Sequence, residues 1–255
     1  MKILVLLKQT FDTEEKITLN NGEVNEDGVE FIINPYDEYA VEEAIKIKEE
    51  LGGEVTTISF GPNRFESSIR TALAMGADKA ILVDDEELFG DEFSAANVLA
   101  KVIADEEYDL ILAGQVAVDD GSGQVAQRVA EILGIPYIGT AIKVEIAGDK
   151  AIVQRDVEGD KEVLETPLPA LITAQQGLNE PRYPSLPGIM KAKKKPLERK
   201  SNADLGLEVG AYKAKTETIE TFLPPKKQAG RILKGELKDQ VNELVSLLHT
   251  EAKVL

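Results

Sequence analysis

The sequence has no cysteine and no tryptophan, and it has a single histidine, His249. Without cysteine there can be no disulfides, no thiolate zinc sites and no cysteine-held iron–sulfur clusters. One histidine, reading as a solvated residue on a terminal helix, disfavours Ser-His-Asp and Cys-His hydrolysis. No metal-binding signature is visible. Basic residues are in deficit: 29 Lys and Arg against 46 Asp and Glu give a formal net charge of −17. So acidic a surface disfavours nucleic acid and anionic membranes as partners. Long apolar runs are missing too. The stretch from Ile3 to Leu7 stops at Lys8, too short for a secretory core or a membrane span. It reads as a first buried strand of a cytoplasmic protein without direct membrane insertion.

What is present is a rhythm. The 255 residues suit one large α/β domain or a domain with an appendage. Apolar runs at Ile3–Leu7, Val29–Ile33, Val55–Phe60, Ala80–Val83 and Leu110–Ala113 have the pattern of buried strands. Between them lie segments of helical period. One opens at Asn34-Pro35, with Asn as N-cap and Pro in the first turn. It carries Ala40, Val41, Ala44 and Ile45 on one face, allows a Glu42–Lys46 pair at i,i+4, and stops at Gly52-Gly53. Others run around Ile69–Leu73, Phe93–Ala104 and Val125–Leu133. Alternation of this kind predicts a mostly parallel, Rossmann-like sheet with helices on both faces. Beyond residue 140 the short turns Gly148-Asp149 and Gly159-Asp160 separate Ile142–Ile146, Ala151–Val157 and Val163–Thr166, which predicts an antiparallel extension. Leu171–Ala174 is a last buried strand. From Arg199 to Gln228 there is little periodicity, and a terminal helix is predicted over Leu237–Leu255. The expected organisation is an α/β domain over 1–178, a protruding segment over 179–196, and a C-terminal arm with a helix over 197–255.

The best candidate for chemistry is the stretch Gly114, Gln115, Val116, Ala117, Val118, Asp119, Asp120, Gly121, Ser122, Gly123, Gln124 and Val125. It leaves the carboxyl end of a strand and enters a helix, the place where open α/β sheets bind ligands. Its glycines allow a close backbone approach, and the helix start favours an anion. It is neither a P-loop nor GxGxxG. A flexible strand-to-helix turn is the competing reading. Asp119 and Asp120 would repel a phosphate and suit ribose hydroxyls or solvent. Lys8-Gln9, Asn34 to Asp37 and Ser59-Phe60-Gly61 should emerge on the same sheet edge and could frame an adenosine. Arg70 reads as a salt-bridged helix residue or a phosphate contact.

The segment Asn179 to Pro196, NEPRYPSLPGIMKAKKKP, is too polar to be core, and Pro181, Pro184 and Pro187 rule out a regular helix there. It reads either as a stiff docking loop carrying Tyr183 and Leu186 outward or as a proline-rich linker. The run Lys191–Lys195 is either a solvated face or a contact for an acidic partner.

Together, INPYDEYAVEEAIKIKE, IRTALAMGADKAILV, DLILAGQVAVDDGSGQV and LPALITAQQGLNEPRYPSLPGIMKAKKKP resemble the electron-transfer flavoprotein β-subunit family over residues 1 to about 200. The resemblance implies an electron-carrier subunit, not an enzyme with its own catalytic centre. It implies an α subunit holding most of a redox FAD, and a β subunit holding AMP, or a second FAD in bifurcating members. Electrons would come from acyl-CoA and related dehydrogenases and leave through a quinone oxidoreductase. By motif, the nucleotide site would use Leu6, Asn34, Pro35, Tyr36, Asp37, Phe60 and Gly114 to Val125, with Tyr36 also approaching the flavin of α. Leu186 would be the anchor for partner dehydrogenases, with Tyr183, Pro187, Ile189 and Met190 around it, and the C-terminal arm would pack on α. Thr13 stands where the family often has an aromatic, and Ala126 where it often has glycine. QTFDT after the first strand favours AMP over a second FAD. Other readings are an adenine-nucleotide-dependent enzyme and a nucleotide sensor. With no cysteine or tryptophan, the chain needs a bound flavin to move electrons.

Overall fold

A computed structural model describes residues 1–254 apart from 209, 211 and 228. In chain order the elements are β1 (Lys2–Leu6), β2 (Gln9–Phe11), β3 (Leu19–Asn20), β4 (Glu23–Val24), β5 (Phe31–Ile33), α1 (Pro35–Leu51), β6 (Glu54–Phe60), α2 (Glu66–Met75), β7 (Lys79–Val83), α3 (Glu92–Ala104), β8 (Leu110–Gly114) and α4 (Val125–Leu133). There follow β9 (Tyr137–Ala147), β10 (Lys150–Val157), β11 (Asp160–Pro167), β12 (Ala170–Ala174), α5 (Leu186–Ala192), β13 (Leu197–Lys200), α6 (Asn202–Leu205) and α7 (Leu237–Leu247).

One compact unit comprises Met1–Ile17 and Asn25–Ile219. Its nine-stranded sheet has the order β11-β10-β9-β12-β8-β1-β6-β7-β13. Pairing is parallel from β12 through β13. It is antiparallel between β9, β10 and β11. The central strands β1, β6, β8 and β12 are buried along nearly their whole length because helices cover both faces. Ile45, Ile69 and Leu73 of α1 and α2 meet Ile3, Val5 and Leu112 on one side. Val98, Val102 and Val129 of α3 and α4 meet Leu4, Ile58 and Ile111 on the other. Both α1 and α4 end on glycines at positive φ, Gly52 at 73° and Gly134 at 67°, a conformation that favours glycine. The predicted α/β sheet and its antiparallel extension are therefore present.

The smaller unit comprises Thr18–Val24 and the chain from Glu220 on. It holds the β3–β4 hairpin and α7, none of whose residues is buried. The helical path continues as a wider π turn over Leu248–Ala252. The predicted ends Gln228 and Leu255 lie outside the described residues. Among the described residues no helix is long and apolar enough to cross a membrane.

Four sequence expectations are corrected. The Val29–Ile33 stretch yields only β5, which pairs with β2 outside the main sheet. Leu197–Lys200, beyond the expected domain end, is the sheet's edge strand and pairs with β7. Glu42 does not pair with Lys46: Lys46 binds Glu43 at 3.1 Å, and Glu42 is taken by Arg182. The segment 179–196 contains a helix, α5. Ser185 caps it by accepting the Gly188 N–H at 3.1 Å, and Pro187 sits in the first turn, where its missing N–H costs nothing.

Candidate functional site

The carboxyl ends of β1, β6 and β8 surround a cleft of about 410 Å³, in the size range of small-molecule sites. Leu6 and Lys8 line it from β1, and Ile58 and Phe60 from β6. Gly114 to Ala117 line it from β8, Asn34 and Asp37 from the start of α1, and Ser122 to Ala126 from the start of α4. Of the site residues expected from sequence, Leu6, Asn34, Asp37, Phe60, Gly114, Gln115, Val116, Ala117, Asp120, Ser122, Gly123, Gln124 and Val125 are brought together here. Pro35, Tyr36, Val118, Asp119 and Gly121 are not part of the wall. Gln9 is turned away, with its amide donating to Ser67 and Ser68 Oγ at 2.9 Å each.

Asp37 is the keystone of this edge. Its carboxylate accepts the Lys8 N–H at 2.7 Å and the Gly114 N–H at 2.9 Å, tying the ends of β1 and β8 to α1. Burial pushes its pKa up to about 7, against the pull of bonds from the Lys8 N–H, the Asn34 side chain and the Gly114 N–H. Asp37→Asn turns an amide N–H towards a backbone N–H and is expected to cost about 1–3 kcal/mol in urea unfolding. The folded pKa lies above the unfolded one. Asp37 therefore stabilises most below about pH 4, and that contribution is lost as pH rises through about 7. The stability gap between wild type and D37N should narrow over that window; a widening gap contradicts the assignment.

Asn34 does not cap α1 through its side chain, as the sequence predicts. Its amide instead donates to Val116 O at 2.9 Å and accepts the Val118 N–H at 3.1 Å. It thereby pins the glycine-rich loop as a neighbouring strand would. Gln115 Oε1 accepts the Thr140 N–H at 2.9 Å and the Thr173 hydroxyl, fixing the loop's other side.

Asp119 and Asp120 are also corrected. They pair with Lys8, whose Nζ donates to Asp119 Oδ1 at 2.9 Å and Asp120 Oδ2 at 2.7 Å. Burial opposes ionisation of Asp120, yet bonds from Lys8 and the Ser122 N–H hold its carboxyl below the usual range. Much of the repulsion such carboxylates would exert on a phosphate is offset by this pairing.

Two helices start at the cleft, and their ends differ. At α3, Asp91 accepts the Phe93 and Ser94 N–H groups at 3.1 Å each. At α4, Gln124 makes no side-chain cap, so the first-turn N–H groups, which have no acceptor within the helix, face the cleft uncapped. Gly123 precedes them at φ 59°, where an added Cβ would lie 3.4 Å from Gln115 O. An anion is therefore best accommodated at α4. The wall also carries an aromatic pair: Phe60 and Phe89 meet edge to face at 5.3 Å between centroids.

Sequence reasoning missed the wall from Phe89 to Glu92. A signal was available, since a loop following a parallel strand such as β7 must open on the same carboxyl edge. Among the described residues no group of three or more His, Asp or Glu could hold a metal.

Away from the cleft, α5 packs beside α2, and each helix end is capped by the other segment. Arg70 donates to Ala192 O and Lys195 O at 2.9 Å each and pairs with Glu66. Lys195 Nζ donates to Leu73 O at 2.8 Å and to Ala77 O. Lys195 is thus a cap and not part of a solvated run. The outer face of the segment is apolar and open: Tyr183 is 95% exposed, Leu186 79% and Met190 73%, with Ile189 partly covered.

A family model described as an electron transfer flavoprotein domain matches residues 21–205. The chain is 57% identical over 257 residues to the electron transfer flavoprotein subunit beta of Bacillus subtilis strain 168, with all of both chains covered. It is 46% identical over 255 residues to the subunit of the same name from Syntrophomonas wolfei, covering 100% of this chain and 98% of that one. To the human subunit it is 41% identical over 237 residues, covering 90% and 91%.

Proposed function

Because the chain belongs to the electron transfer flavoprotein β-subunit family, an electron-carrier family, we propose that its cleft holds AMP and that with an α subunit it completes a FAD-bearing carrier. The observation that carries the nucleotide assignment is the presence in one wall of an uncapped α4 start beside Gly123 and the Phe60–Phe89 ring pair. Phosphate fits the first and a purine the second. A cleft of about 410 Å³ suits a mononucleotide better than a second FAD. The sole cation at the loop among the wall residues, Lys8, is engaged by two carboxylates. That argues against an ATP-cleaving enzyme, which needs a cation on the transferred phosphate.

Bound flavin supplies the redox chemistry, and this chain binds and orients. Tyr36, at the start of α1, is assigned to the flavin side. Leu186, flanked by Tyr183, Pro187, Ile189 and Met190, is assigned to docking acyl-CoA and related dehydrogenases. A quinone oxidoreductase is the assigned acceptor, and the arm beyond residue 219 is assigned to the α subunit. The test is stopped-flow mixing of the purified heterodimer with a substrate-reduced acyl-CoA dehydrogenase. Bleaching of the heterodimer's flavin is expected; an unreduced flavin under conditions where dithionite bleaches it contradicts the reading.

A further inference from the structure

Two carboxylates of α1 have no part in the cleft yet are buried: Glu42 is 5% exposed and Glu43 4%. Buried carboxylates need partners; Lys46 supplies one to Glu43 at 3.1 Å, and the others come from the root of the docking segment. Asn179 Nδ2 donates to Glu43 Oε2 at 2.9 Å and to Tyr39 O at 3.0 Å. Arg182 is held more fully. Its backbone N–H and Nε donate to Glu42 Oε2 at 3.1 and 2.9 Å, and Nη2 donates to Glu42 Oε1 at 3.0 Å. On its outer side, Nη1 and Nη2 donate to Glu49 Oε1 and Oε2 at 2.6 and 3.0 Å. Glu42 and Glu49 stand two turns apart on α1, so the planar guanidinium is gripped along both edges. A fork of this kind fixes orientation as well as position. Tyr183 follows at once, and Pro184 and Pro187 stiffen the path to Leu186. Arg70 fixes the far end at Ala192 and Lys195.

We propose that the Arg182–Glu42–Glu49 fork is a positioning device that sets the orientation in which Leu186 and Met190 are offered to the partner dehydrogenase. It would work by preorganisation: a segment already fixed in its docking pose loses less entropy on binding. Arg182 is not among the residues that line the cleft. The inference rests on the reading of Leu186 as the docking anchor.

The test uses the full heterodimer, varies dehydrogenase concentration and separates KM from kcat. For Arg182→Gln, KM for the dehydrogenase should rise about tenfold, with kcat, flavin content and dithionite reduction within about twofold of wild type. Glu49→Gln breaks only the exposed half of the fork and leaves the buried pair intact. It should raise KM about threefold, and Arg182→Lys, which reaches carboxylates as a point and not a fork, should fall between. If Arg182→Gln fails to fold, the other two variants carry the decision. Unchanged KM in the folded variants overturns the inference, as does a loss confined to thermal stability. Leu186→Ala run alongside separates the two claims. If L186A leaves KM unchanged, the docking assignment is wrong. If L186A raises KM and the fork variants do not, only the positioning role is wrong.

Discussion

Gly114→Ala is expected to lower the unfolding free energy by about 2–6 kcal/mol and to empty the nucleotide cleft. A Cβ at residue 114 would stand 2.3 Å from Asp37 Oδ1, 2.7 Å from Tyr36 Cβ and 2.8 Å from the Asp37 backbone nitrogen. None of these is the free end of a flexible side chain. The strand cannot retreat either, because the Gly114 N–H is bonded to the same carboxylate at 2.9 Å. Overpacking costs about 1–3 kcal/mol, and a buried carboxylate deprived of a donor costs about 1–3 kcal/mol more. The displaced elements, the start of α1 and the end of β8, both line the cleft, so stability and nucleotide content should fall together. Gly121→Ala is the control. Its added Cβ meets nothing within 4 Å, leaving only the strain of a left-handed alanine, about 1 kcal/mol. Urea midpoints that are equal for the two variants would refute the contact argument.

Leu186→Ala is expected to behave in the opposite way. At 79% exposure the side chain contributes little to the fold, and the start of α5 is already capped by Ser185. Stability should move by less than about 0.5 kcal/mol. A protruding apolar residue on a braced segment has the form of an interface anchor, where truncation costs about 1–3 kcal/mol, or roughly fivefold to over a hundredfold in kcat/KM for the dehydrogenase. Flavin and nucleotide contents should not change. An L186A heterodimer reduced at the wild-type rate would remove the anchor assignment while leaving the nucleotide site untouched.

The contrast between these two residues also marks what a sequence reveals. The central strands and their helices were legible because burial on two faces writes continuous apolar runs and burial on one writes a helical period. The predicted bounds of α4, Val125–Leu133, match the observed ones. The glycine-rich loop was legible because glycine is demanded by backbone geometry, as Gly123 at φ 59° illustrates. Partnerships between distant side chains were not. Nothing near Asp119 announces that its counter-ion is Lys8, 111 residues earlier in the chain. Local rules misled where tertiary contacts offered more. Asn34 gives up a helix cap to hold the loop at Val116 and Val118, and Glu42 forgoes a lysine on its own helix for the fork of Arg182. Proline was read as a helix breaker in the segment 179–196, but Pro187 falls in the one turn that tolerates it. The edge strand Leu197–Lys200 is four residues long and half exposed, too short for its alternation to stand out.

The most direct test of the account is the nucleotide content of the purified heterodimer, released by denaturation and quantified by chromatography. One AMP and one FAD per heterodimer are expected, with AMP lost selectively in the Gly114→Ala variant. Absence of any adenine nucleotide beyond the FAD held with α would contradict the assignment of the cleft, and two FAD with no AMP would replace it with a second flavin site.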